Sequence, residues 1–145
     1  MTLTQWLDDY GASHRHPTNI AIHKLCVPAI VFAVFGLASS IPAAINPAYI
    51  LLALGLLFYL RLSWRMALAM GLMCGSMLGL LAWLPRLGIP VLPLSLLVFV
   101  LAWIGQFIGH KIEGKKPSFF KDVQFLLIGP AWTLAHLFRA LQLKF

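Results

Sequence analysis

Hydrophobic positions recur along this chain in two ways. From Thr2 to Ser13 they return at helical spacing, with Leu3, Trp6, Leu7 and Tyr10 on one face and Thr4, Asp8 and Asp9 on the other. That pattern predicts a short amphipathic helix. Gly11 marks its end, and a polar stretch from Ser13 to Asn19 follows, in which Pro17 marks a turn or the start of the next helix. Beyond Asn19 the chain changes to long apolar runs: Ile20 to Ile41, Ala48 to Trp64, Met66 to Leu84 and Val91 to Ile108. Each is near the length that crosses a bilayer, so four transmembrane helices are expected. The second and third runs nearly touch and predict a tight hairpin. Met70 to Gly79 is rich in Gly, Ser and Met, which suits close helix packing in lipid. Gly105 and Gly109, four apart, form another packing face.

Composition sharpens this into a class. Of 145 residues, 61% are hydrophobic and 10% charged, against about 25% charged in ordinary soluble domains. A soluble domain of this size cannot bury so much apolar surface, which leaves one all-α integral membrane domain over 1–145. The formal charge of +7 would point to nucleic acid in a soluble protein; here it fits basic anchors at helix ends, and no nucleic acid is expected as a partner. Cys26 and Cys74 lie in apolar runs without metal-site spacing and serve as packing residues. The first ten residues carry Asp8 and Asp9 but no Lys or Arg, so no secretory signal is expected.

Charge placement orders the topology. With four spans, Arg86 stands alone on one side and the other ten Lys and Arg share the opposite side. A fifth span from Val123 to Leu141 would move Arg139 and Lys144 across. The positive-inside rule favours four spans with a cytoplasmic N-terminus. The tail, broken at Gly129-Pro130, then forms interfacial or re-entrant helices. The cluster Lys111, Lys115, Lys116 and Lys121 reads as a headgroup anchor, and a basic rim of this kind also steers anionic substrates. The five tryptophans sit mostly near run ends, as interface aromatics do.

Candidate chemistry lies in the histidines. His14, His16 and His23 precede or open the first run, and His110 closes the fourth. Four spans bring these ends to one side. Asn19 and His23 share a helical face, as do His110 and Glu113. Imidazoles with nearby carboxylates suit a first-row metal such as iron, zinc or manganese, and spacing alone does not choose among them. His136 joins the others only if the tail turns back at Gly129-Pro130.

The residues His14, Asn19, His23 and Pro28 resemble an H-x4-N-x3-H-x4-P signature. Gln106, His110, Glu113 and Pro117 resemble a second signature of the same family, and Gly129-Pro130 followed by a polar residue at position 136 resembles a third. Together, from about Tyr10 to Leu137, the chain resembles the membrane-embedded 2-hydroxy-fatty-acid dioxygenases known from fungal α-oxidation of phytosphingosine. The resemblance implies an Fe(II) (Fe(2+)) enzyme that uses O2 to shorten a 2-hydroxy fatty acid by one carbon, without haem. It implies His14, His23 and His110 as metal ligands and Asn19, Gln106 and Glu113 as functional polar positions. At His136 the chain departs from relatives that carry a carboxylate, and His136 is taken as a fourth metal ligand. His16 falls where the family varies.

The chemistry is physically reasonable. A 2-hydroxy acid chelates such a metal through its carboxylate and hydroxyl oxygens and leaves a position for O2. Lys111 or Lys115 would hold the carboxylate, Glu113 or Asn19 would orient a ligand imidazole, and the acyl tail would lie among apolar helices. Two other classes stay open. One is a haem or electron-transfer protein held by His23 and His110; the other is a non-enzymatic membrane scaffold. Between membranes, a bacterial inner membrane is favoured over the endoplasmic reticulum.

Overall fold

The computed structural model describes residues 1–114 and 125–145. Among them the chain is helical, with no strand. The first helix, α1 (Leu3–Ala12), starts at Thr2 in a reciprocal capping box: Thr2 Oγ1 accepts from the Gln5 N–H at 3.2 Å, and Gln5 Oε1 accepts from the Thr2 N–H at 2.8 Å. Leu3, Leu7 and Tyr10 are its buried face, as their spacing predicts. Helix α2 (Pro17–Ser39) opens with Pro17 in its first turn, where a missing N–H costs nothing. Helix α3 (Pro47–Leu60) is capped by Asn46, whose Oδ1 accepts from the Ala48 N–H at 2.9 Å. Helix α4 (Trp64–Trp83) is capped by Ser63 and followed by a 3-10 turn, Leu84–Leu87. Helix α5 (Val91–Glu113) stops at Gly114, and α6 (Ile128–Ala140) completes the chain. Gly88 and Gly114 both take positive φ, 75° and 74°, a conformation that other residues adopt at a cost.

Three helical stretches are long and apolar enough to cross a membrane: Pro17–Ser39, Trp64–Leu87 and Val91–Glu113. The expected fourth is shorter than its apolar run. Ser63 caps α4, so Trp64 belongs to the next helix and α3 keeps 14 residues. That is about 21 Å at 1.5 Å per residue, short of a hydrocarbon core of about 30 Å. Apolar composition alone did not reveal where the hairpin turns. The exposed surface of the bundle is rich in large apolar side chains, including Leu54, Leu57, Leu68, Leu72, Leu97 and Leu101, which fits an integral membrane protein.

Helices α2 and α5 pack antiparallel and very close. A Cβ added to Gly36 would overlap Ser95, one added to Gly105 would lie 2.5 Å from Cys26 Sγ, and one added to Gly109 would overlap Asn19 Oδ1. Small residues at these crossings let the backbones approach where lipid supplies no hydrophobic drive for association. The consequence for function is direct. The end of α5, with His110 and Glu113, comes to lie beside the start of α2.

The C-terminal segment starts inside the bundle. Leu126, Leu127 and Pro130 share a cavity with Val31, Leu52 and Cys74, residues from the interior turns of α2, α3 and α4. It finishes where α4 begins, with the Arg65 guanidinium donating to the Lys144 carbonyl at 3.3 Å. Residues 125–145 therefore turn back to the end at which α5 stops. The same end carries Arg15, Arg61, Arg65, Lys111, Arg139 and Lys144, while Arg86 sits in the turn at the opposite end.

Candidate metal centre

Glu113 ties the two ends of the chain together. Its carboxylate accepts from the backbone N–H of Arg15 at 2.9 Å, from that of His16 at 3.0 Å and from the Asn19 side-chain amide at 2.8 Å. These donors sit at the turn before α2 and in its first turn, where helix N–H groups are otherwise unsatisfied and negative charge is favoured. His16 contributes through its ring as the cap of α2: Nδ1 accepts from the Thr18 N–H at 3.2 Å. The α1–α2 turn is thereby folded over the start of α2, and His14 is brought against His23.

Three imidazoles converge there. Ring centroids are 4.2 Å apart for His14 and His23, 5.6 Å for His23 and His110, and 6.4 Å for His14 and His110. All three residues are buried, His23 to 2% exposure. His14 Nδ1 lies 2.7 Å from the Tyr10 carbonyl, and His23 Nδ1 lies 3.0 Å from the Asn19 carbonyl. A carbonyl can only accept, so each Nδ1 carries a proton, which in the neutral ring leaves the lone pair on Nε2. This is how metal-ligating histidines are usually oriented. Tyr10 stacks on His14 at 4.3 Å with a 9° interplanar angle, and Trp132 packs against both. A cavity of about 20 Å³ lies at His23, Gln106, Trp103 and Tyr10, room for one water or small ion.

The donor set suits a divalent first-row cation in kind: imidazole nitrogens with amide oxygens nearby. Asn19 Oδ1 and Gln106 Oε1 are buried with no hydrogen-bond partner among the described residues, an arrangement that costs free energy unless something electropositive faces them. Among the described residues, no group of three or more His, Cys, Asp or Glu side chains stands at separations that could hold a metal ion.

A family model described as "2-hydroxy-palmitic acid dioxygenase Mpo1-like" matches residues 1–141. The chain belongs to the Mpo1-like family. No curated protein and no solved structure matches it. The match to this family agrees with the resemblance read from the His14, His110 and Gly129-Pro130 signatures.

Within this Mpo1-like chain, the residues singled out in the sequence divide into two groups. His14, His23, His110, Asn19, Gln106 and Glu113 come together. His136 and Lys111 stand apart from the three rings. His136 packs edge-on against Trp132 at 4.2 Å, with its Nδ1 2.9 Å from the Trp132 carbonyl. Trp132 thus stands between His136 and His14, and the two histidines share only an open groove at the surface. The tail does return to the histidine end, where the Trp132 indole packs against both His14 and His136. Lys111 is exposed on α5, beside the site and outside it. Lys115, Lys116, Pro117 and Lys121 lie outside the described residues.

Tyr10, Trp132 and Trp103 escaped the sequence reading as site residues. Trp132 and Trp103 had been read as interface aromatics, yet Trp132 is buried to 4% exposure and Trp103 lines the small cavity. Tyr10 offered a signal: it lies four residues before His14 on the apolar face of α1, so its carbonyl and ring both reach the imidazole.

Proposed function

We propose that this protein is an Fe(II)-dependent dioxygenase that shortens a 2-hydroxy fatty acid by one carbon at a membrane face. The observation that carries the reading is the convergence of His14, His23 and His110 with the Nδ1 of His14 and of His23 committed to backbone carbonyls. Family membership supports the substrate class, because the matched description names 2-hydroxy-palmitic acid.

In this reading His14, His23 and His110 would hold the iron. Iron held there would supply the Lewis-acid and redox chemistry that the oxidation of a hydroxy acid by O2 needs. Glu113 and Asn19 act behind the ligands and keep the α1–α2 turn closed. Tyr10, Trp132 and Trp103 exclude bulk water from the rings, and Lys111 steers the substrate carboxylate to the rim. The basic end of the bundle faces the cytoplasm by the positive-inside rule, so the site opens to that side.

The test is elemental analysis of protein purified in detergent, wild type against His23→Ala and His110→Ala, followed by an oxygen-dependent assay with 2-hydroxypalmitic acid. Near-stoichiometric iron that both substitutions abolish, with formation of the acid one carbon shorter, is the expected result. Folded wild-type protein that takes up no iron, or that leaves 2-hydroxy acids unchanged when iron-loaded, overturns the reading.

A further inference from the structure

A second cavity, of about 130 Å³, lies between α2, α3, α4 and α6. Its walls include Phe35, Leu52, Gly55, Met70 and Cys74. The one hydroxyl on its lining, that of Tyr59, is turned away to bond the Leu127 carbonyl. Nothing in this lining recognises a polar ligand. Leu51 and Leu127, also on the lining, are 43% and 42% exposed, so the cavity opens sideways toward the lipid-facing surface.

This cavity adjoins the imidazole site. Leu126 lines it and also lines the small cavity at His23 and Gln106. From His23 to Phe35 there are twelve residues of α2, about 18 Å of helix, comparable to the reach of an extended palmitoyl-length chain. A ligand with a polar head at the imidazoles and a long alkyl tail matches both chambers at once. Gly55 lies on the wall of the inner chamber, and a Cβ added there meets nothing nearer than Leu127 Cδ2 at 4.0 Å. A larger side chain at this position projects into space rather than into a neighbouring helix.

We propose that the alkyl tail of the hydroxy acid passes Leu126 and ends in this inner chamber, and that the small size of Gly55 sets the longest chain the protein accepts. The inference rests on the function proposed above and adds a determinant of chain length to it.

The experiment uses the full-length protein in nanodiscs and a 2-hydroxy acid of palmitoyl length with a diazirine near its methyl end. After irradiation, carbene insertion is mapped by mass spectrometry, in wild type and Gly55→Leu, with unlabelled 2-hydroxypalmitate as competitor. The expected result is insertion at residues of the inner chamber, such as Phe35, Met70 and Cys74, reduced at least tenfold by competitor and by Gly55→Leu. Turnover by Gly55→Leu should shift at least tenfold in favour of shorter chains, with iron content unchanged. Insertion on the outer lipid-facing residues alone overturns the proposal, as does an unchanged chain-length profile in a folded Gly55→Leu. So does equal labelling of the chamber by a diazirine phospholipid that the acid fails to displace, which would make a bilayer lipid the occupant. Photolabelling reads tail position without turnover. A wild-type protein that labels in the chamber but performs no oxidation therefore refutes the proposed reaction and leaves the tail site standing.

Discussion

Asn19 donates its side-chain amide to Glu113 at 2.8 Å, across 94 residues of sequence. The same carboxylate also holds the backbone N–H groups of Arg15 and His16. Because Nδ2 is committed to Glu113, Asn19 Oδ1 must point the other way, toward Gly109 and the His23 ring. One carboxylate therefore closes the turn that carries His14, through Arg15 and His16, and orients the Asn19 amide beside the site.

Replacing Glu113 with alanine removes the acceptor from these N–H groups. Bonds to a charged group contribute about 1.5–3 kcal/mol each when buried, and Glu113 is half-buried, so the total loss should be about 1–3 kcal/mol. We expect a lower thermal midpoint in detergent and a parallel loss of bound iron. Asp8→Asn, on the exposed face of α1, should change neither. An unchanged midpoint in Glu113→Ala would show that the turn is held by other contacts.

The glycines of α4 and α5 should respond in opposite ways to alanine. Gly109→Ala forces a Cβ into Asn19 Oδ1, and overpacking of this kind costs about 1–3 kcal/mol. Gly75→Ala and Gly79→Ala meet nothing within 4 Å and should be neutral or stabilising by up to about 1 kcal/mol, since alanine is the better helix former. Thermal unfolding of the three variants side by side checks the ranking.

His14→Ala and His136→Ala separate the two sides of Trp132. His14 lies beside His23 and near His110, whereas His136 packs edge-on against the indole. Iron content should fall to near background in His14→Ala and stay within about twofold of wild type in His136→Ala, a small difference on the scale where tenfold is about 1.4 kcal/mol. Equal loss in both would place His136 among the ligands.

Tyr59→Phe should loosen the C-terminal helix. Its hydroxyl bonds the Leu127 carbonyl at the start of α6, and loss of one such hydrogen bond costs about 0.5–1.5 kcal/mol. Faster amide hydrogen exchange across Ile128–Ala140, with α2 and α5 unchanged, is the expected readout. Uniform exchange across all helices would instead indicate global destabilisation.

Much of this was legible in the chain. The amphipathic face of α1 needed only the 3.6-residue period, and the membrane class needed only the apolar content. The grouping of His14, His23 and His110 followed from topology and from the spacing of the family signatures. The limit of α3 was not legible, because Arg61-Leu62-Ser63-Trp64 mixes basic, apolar and polar residues with no Gly or Pro to mark the break. Only the Ser63 Oγ bond to the Met66 N–H, 3.2 Å long, fixes where the next helix begins.

The sequence by itself determined an all-helical membrane protein with its basic groups and histidines gathered at one end, because apolar runs and charge placement act locally along the chain. Tertiary structure alone decided that Glu113 is a clamp on the α1–α2 turn, that His16 caps a helix, and that Trp132 stands between His136 and the other rings. Those outcomes depend on how closely α2 approaches α5 at Gly36, Gly105 and Gly109 and on how deep the tail enters the bundle. Both are set by side-chain volume between helices distant in sequence, which no local pattern encodes.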